Sequence, residues 1–193
     1  MGSGLLQKSK ARISVKKAMI QYKTYPMLKG VHLPFQANYG DLGADVYAAD
    51  EPEIVGIPSE DRQGWESISF IEYDTGLIVE QEDLNYGLFV FPRSSISKYN
   101  LILANHVGVI DPSYRDTIKL RFRYILQPCD LVIEPGIMPY VKIDEDKIYQ
   151  RGDKIGQLYP AKRCDFEFKQ VSSLDEINMD TERGRGGFGS TGK

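Results

Sequence analysis

Short runs in which apolar and polar residues alternate at every second position recur along this chain, and no stretch holds the helical spacing long enough to make an amphipathic helix. The clearest run is residues 117–124, where Ile118, Leu120, Phe122 and Tyr124 fall on one side and Thr117, Lys119, Arg121 and Arg123 on the other. Strand side chains point alternately to the two faces, so this run predicts a strand with one face in a core and one in water. The same reading predicts strands at residues 12–15, 44–48, 67–73, 76–80, 87–91, 101–104, 107–110, 131–133 and 154–159, and at 164–168 with Cys164, Phe166 and Phe168 inward. A single helical turn is expected at residues 95–100, with Ser94 or Ser95 as its N-cap. Many short strands punctuated by Gly, Pro, Asp and Asn favour an all-β sandwich, jelly roll or barrel.

At 193 residues, with 41% hydrophobic and 26% charged, the chain fits one soluble domain with a proper core. Its apolar runs are far shorter than a membrane span, and its N-terminus lacks the apolar region of an export signal. Two cysteines, Cys129 and Cys164, make neither a disulfide framework nor a metal cluster, so a reduced, intracellular, cytoplasmic setting is expected. The balance of 24 basic against 27 acidic residues argues against duplex nucleic acid as partner and leaves small polyanions, bound through a local basic site or a metal.

The tail, residues 183–193, joins arginines, glycines, hydroxyls and the single ring of Phe188. Glycines let backbone N–H groups approach phosphate closely, arginine forks onto phosphate, and an aromatic face suits a base. One short copy of such a segment offers too few phosphate contacts for an RNA-binding arm. On composition alone a terminus of no consequence is the first reading, and it is the rest of the chain that favours a lid over a nucleotide.

Four further blocks precede it in order. Residues 43–48 read Gly-Ala-Asp-Val-Tyr-Ala and residues 92–95 Pro-Arg-Ser-Ser. Residues 105–115 read Asn-His-Val-Gly-Val-Ile-Asp-Pro-Ser-Tyr-Arg, and residues 152–158 Gly-Asp-Lys-Ile-Gly-Gln-Leu. With the tail block at residues 181–192, this ordered set resembles the signature blocks of the trimeric deoxyuridine triphosphatases, the dUTPases. The resemblance implies a distorted all-β jelly roll at residues 1–180 and a closing tail at 181–193. It further implies Mg²⁺-assisted hydrolysis of dUTP to dUMP and pyrophosphate, which removes dUTP and supplies dUMP for dTTP synthesis.

Residue by residue, the resemblance makes Asp111 the catalytic group that activates a water against the α-phosphorus. Tyr114 is similar to the ring that packs under the deoxyribose and excludes a 2′-hydroxyl. Asn105, with the backbone of a hairpin at residues 105–114, is similar to the uracil pocket. Arg93, Ser94, Gln157 and Arg183 match triphosphate-binding residues, and Asp45 the aspartate that faces hydrated magnesium through water. Phe188 matches the ring that stacks on uracil, and Gly189, Ser190 and Thr191 the residues that meet the γ-phosphate. A homotrimer with each site shared among chains is implied as well. Without the resemblance, Asp111 reads as a turn residue, Arg93 and Asp45 as a structural ion pair, and Gln157 as a surface amide.

The sequence departs from the family pattern at Ser113 and Asp116, at Lys154 where arginine is common, and at Gly156 where alanine is. Residues 51–82 and 129–151 look expanded, and are read as extra strands, arms or a surface for a protein partner. The related deoxycytidine triphosphate deaminases share a similar Arg-Ser-Ser block, but their catalytic glutamate aligns with Arg121, a cation.

Overall fold

The computed structural model describes residues 22–27, 31–60 and 63–181. The chain divides into two units, Met1–Arg163 and Cys164–Lys193.

The first unit is built of antiparallel strands. β1 (Tyr22–Pro26) pairs with β5 (Leu77–Gln81) as a two-stranded sheet. A four-stranded sheet runs β2 (Ala44–Tyr47), β12 (Lys154–Lys162), β6 (Tyr86–Phe91) and β8 (Gly108–Ile110). A six-stranded sheet runs β10 (Leu131–Val132), β11 (Tyr140–Val141), β4 (Trp65–Asp74), β9 (Lys119–Tyr124) and β7 (Leu101–Leu103), with β3 (Glu53–Pro58) paired to β4.

Alternation along each strand turns one face inward, and the inward faces meet. Val46, Leu88, Val90, Ile155 and Leu158 from the four-stranded sheet join one core with Ile71, Tyr73, Leu103, Leu120 and Phe122 from the six-stranded sheet. The rings of Tyr73, Phe122 and Tyr149 meet edge to face at its centre, with centroids 5.5 to 5.9 Å apart. Burial pushes the Tyr149 hydroxyl up to about 12. The result is the expected all-β, jelly-roll-like fold.

Observed strand limits lie within three residues of those expected from 44 to 159. Residues 12–15 lie outside the described residues. Three strands among the described residues go beyond the expectation: β1, β3 and β11. Both stretches that lengthen the chain are threaded into the sandwich, since β4 carries Ile71 and Tyr73 into the core and residues 129–151 contribute Ile148 and Tyr149.

Three local expectations are corrected. Residues 164–168 form no strand, and Phe166 and Phe168 are 79% and 90% exposed. Alternation alone makes no strand; the segment finds no partner edge among the described residues. The helical turn is a 3-10 turn at Ser94–Lys98 whose N-cap is Arg93, with no side-chain cap. Ser94 and Ser95 are the first two residues of the turn itself, so neither stands at the N-cap, and the Ser95 hydroxyl accepts from Arg93 Nη1 at 3.2 Å. Thr117, expected on the wet face, is buried, and its hydroxyl donates to Asp74 Oδ2 at 2.8 Å.

Candidate active site

Two groups of side chains hold the described residues singled out in the sequence. The first sits where β2, β12 and the end of β6 lie side by side. Gln157 of β12 is in register with Asp45 of β2 on one flank and Phe91 of β6 on the other. Arg93 follows two residues after Phe91, so strand order alone brings Asp45, Gln157 and Arg93 together. Arg93 Nε donates to Asp45 Oδ1 at 2.9 Å, and Gln157 Nε2 to the Pro92 carbonyl at 3.4 Å. Gly43 leaves room for Gln157: a Cβ there would lie 2.9 Å from Gln157 Oε1 and 3.3 Å from its Cβ, so a side chain at 43 would push the amide aside.

Lys154 completes this group. In a regular strand, residues 154 and 157 would face opposite ways. The register shifts between Lys154 and Gly156, so Lys154 is opposite Tyr47 while Gln157 is opposite Asp45. This β-bulge puts both side chains on the outer face. Lys154 Nζ lies 2.9 Å from Asp45 Oδ2 and 5.8 Å from the centre of the Tyr47 ring. One carboxylate therefore stands between two cations, leaving a net positive charge suited to a polyanion. Ser94 opens the 3-10 turn beside the group, with its side chain exposed.

The second group forms a cavity of about 490 Å³ at the segment that passes from one sheet to the other. A hairpin at residues 105–114 is not what the structure contains. β7 pairs with β9 and β8 with β6, so the intervening turn changes sheets. His106, with φ of 60°, makes that turn, and its N–H donates to the Leu103 carbonyl. Asn105, Asp111 and Tyr114 all line the cavity, whose apolar walls include Val90, Ile118 and Leu120. Asp111 follows β8 directly, on an exposed turn that Arg115 cinches, Nη1 donating to the carbonyls of Pro112 at 2.7 Å and Tyr114 at 2.8 Å. Tyr114 donates its hydroxyl to the Thr117 carbonyl at 3.0 Å, which fixes its ring at the rim. Burial, then the charge of Asp116, raises that phenol above its ordinary value.

Glu72, on the cavity wall, is only 6% exposed and takes Lys119 Nζ at 2.9 Å and Arg121 Nε at 2.7 Å. Burial works to raise its carboxyl, but these hydrogen bonds and charges outweigh it and hold the group below the usual glutamate range. Arg121 also stacks over the Phe70 ring at 4.4 Å.

Asp45, Arg93 and Gln157 thus converge, as do Asn105, Asp111 and Tyr114, but the two sets do not line one cavity. Arg183, Phe188, Gly189, Ser190 and Thr191 lie outside the described residues. Lys154, Ser95, Arg115 and Glu72 were not marked as site residues by sequence reasoning. Lys154 stood in a quoted block, yet its odd spacing from Gln157 hid their common face. Among the described residues no set of three His, Cys, Asp or Glu side chains is placed to hold a metal, and no helix is long and apolar enough to cross a membrane. Cys129 and Cys164 are free and exposed.

The architecture is that of a jelly-roll β-protein with a cationic cluster at one sheet and a mainly apolar cavity between sheets. No family model matches the chain. A deoxyuridine 5'-triphosphate nucleotidohydrolase of Desulfitobacterium hafniense is 36% identical over 165 residues, 85% of this chain and 89% of the relative. This chain belongs to the dUTPase family. Among solved structures, the dUTPase of Staphylococcus bacteriophage 80alpha with dUPNHPP matches with a TM-score of 0.64 at 21% identity, over 90% of this chain and 99% of that one. A mutant dUTPase of phage phi11, which coordinates a structural Mg(II) ion, matches with a TM-score of 0.56 at 20% identity, over 80% and 99%.

Proposed function

We propose that this chain hydrolyses dUTP to dUMP and pyrophosphate. The observation that carries the reading is Asp111, a carboxylate on the rim of a cavity that Asn105 and Tyr114 also line, with no hydrogen-bond or ion partner among the described residues. A carboxylate so placed can accept a proton from a water as the water oxygen bonds to the α-phosphorus. The bond from that phosphorus to the bridging oxygen breaks, and pyrophosphate leaves with the electron pair. General-base help of this kind is worth about 10²–10⁴ in rate.

The cavity takes the uracil, with backbone groups of residues 105–111 meeting its edge, so a mismatched base leaves buried polar groups unpaired. The Tyr114 ring, pinned through its hydroxyl, lies under the sugar and leaves no room for a 2′-hydroxyl. Arg93, Ser94 and Gln157 receive the triphosphate. The residues fit Mg²⁺ as a largely hydrated ion: Asp45 is the single carboxylate of its cluster, so water and substrate phosphates must supply most ligands. When bound, the ion neutralises developing charge on the phosphates.

The cavity and the cationic cluster do not merge within one chain, which favours a homotrimer in which one chain gives the cavity, another the cluster and a third the tail. Arg183, Phe188, Gly189, Ser190 and Thr191 are then the closing residues over base and γ-phosphate. Residues 51–82 and 129–151 also offer surface for a protein partner. Pyrophosphate release from dUTP, dCTP, dTTP and UTP tests the reading. Turnover of dUTP alone supports it, and inertness toward dUTP overturns it.

A further inference from the structure

Asp45 spends both carboxylate oxygens on cations, and the two cations are unlike. Arg93 is tied at two points, through Nε to Asp45 and through Nη1 to Ser95. Lys154 makes a single contact, Nζ to Oδ2, from a half-exposed flexible stem. A guanidinium fork anchored twice holds its place, whereas a lone ammonium exchanges readily. Oδ2 is therefore the oxygen that a hydrated divalent ion can reach, and Lys154 is what it must displace.

We propose that Lys154 is a positioning residue that occupies Asp45 Oδ2 in the free protein and yields it to the divalent ion that arrives with the triphosphate, its ammonium then turning to the phosphates. The proposal rests on the reading of the cluster as a triphosphate site. The bulge at β12 is what puts the ammonium on the face of Asp45 and Gln157, so the exchange is built into the strand register.

The test measures two bindings. Affinity for an imido-bridged dUTP analogue is measured by calorimetry without metal, and Mn²⁺ half-saturation of the analogue complex is followed by water-proton relaxation. Far-ultraviolet dichroism confirms that each variant is folded. In Lys154→Met the metal-free affinity falls, and the Mn²⁺ concentration for half-saturation also falls, each by roughly two- to fivefold, the range of a partly exposed ion pair. Lys154→Arg, which sets a fork rather than an ammonium against Asp45, moves the Mn²⁺ half-saturation the other way, to a concentration at or above that of wild type. A purely structural role weakens both bindings together. A half-saturation that is unchanged or raised in folded Lys154→Met overturns the proposal. Wild-type protein that binds no analogue at all sinks the reading beneath it as well.

Discussion

At the residue scale, position decides what a side chain can do more than its type. Asp45 lies within β2 and Asp111 just past β8, and one is held between Arg93 and Lys154 while the carboxylate of the other stands free on a cavity rim. The free one is available to take a proton, and the paired one is committed to charge. Asp111→Asn keeps the shape of the turn and removes the base, so it should bind the imido analogue within about a factor of three of wild type while turnover falls by about 10²–10⁴. Single-turnover kinetics beside equilibrium binding separates the two; near-normal turnover removes Asp111 from the chemistry. Gly156 shows the same lesson in packing. A Cβ at 156 would lie 2.7 Å from Leu120 Cδ2 and 3.2 Å from the Phe91 carbonyl, which accounts for glycine where the family commonly has alanine. Gly156→Ala should lower stability by about 1–3 kcal/mol through overpacking, read from urea midpoints at constant slope.

At the scale of elements, β4 and β9 are joined by more than their ladder. Glu72 is directly opposite Arg121 and receives Lys119 from the next wet-face position, so one buried carboxylate ties two cations of β9 to β4. Its carboxyl is held below the ordinary value of 4.5, which means the folded state binds the proton less tightly than the unfolded chain. The stabilisation is therefore complete above about pH 4.5 and is lost as pH falls through the lower, folded value. Because both cations are well exposed, the tie should be worth only about 1 kcal/mol. Calorimetry on wild type and Glu72→Gln from pH 7 to 3 should show a gap in Tm that closes on acidification; a gap constant to pH 3 rules out the carboxylate as its source. These strands were largely legible in the sequence, because Leu120 and Phe122 alternate with Lys119 and Arg121 without interruption. β3 and β11 were not, since each is completed by pairing with β4 and their own alternation is weak. The β12 bulge was hidden for a related reason: register belongs to a pair of strands, and residues 154–159 specify only one of them. Residues 164–168 failed in the opposite sense, having the pattern of a strand but no edge to join.

At the scale of the whole molecule, the family blocks were readable as an ordered set, but how they combine was not. Asn105, Asp111 and Tyr114 meet within the chain, and so do Asp45, Arg93 and Gln157, while the two groups stay in separate places. A single chain thus presents the cavity apart from the cationic cluster. If the site is completed between subunits, defects in different parts can be cured by different chains. Consider Asp111→Asn and a truncation ending at Thr181, each inactive by itself. Co-expressed in equal amounts they form mixed trimers, and a site works when its cavity comes from a truncated chain and its tail from an Asp111→Asn chain. Each condition is met half the time, so about a quarter of sites recover in a closed symmetric ring with random mixing. Pyrophosphate release from the mixture should approach that fraction of wild type, whereas mixtures of separately purified proteins that do not exchange subunits stay inactive. A co-expressed mixture no more active than its parents would place cavity and tail on the same chain, and the shared-site trimer would have to be abandoned.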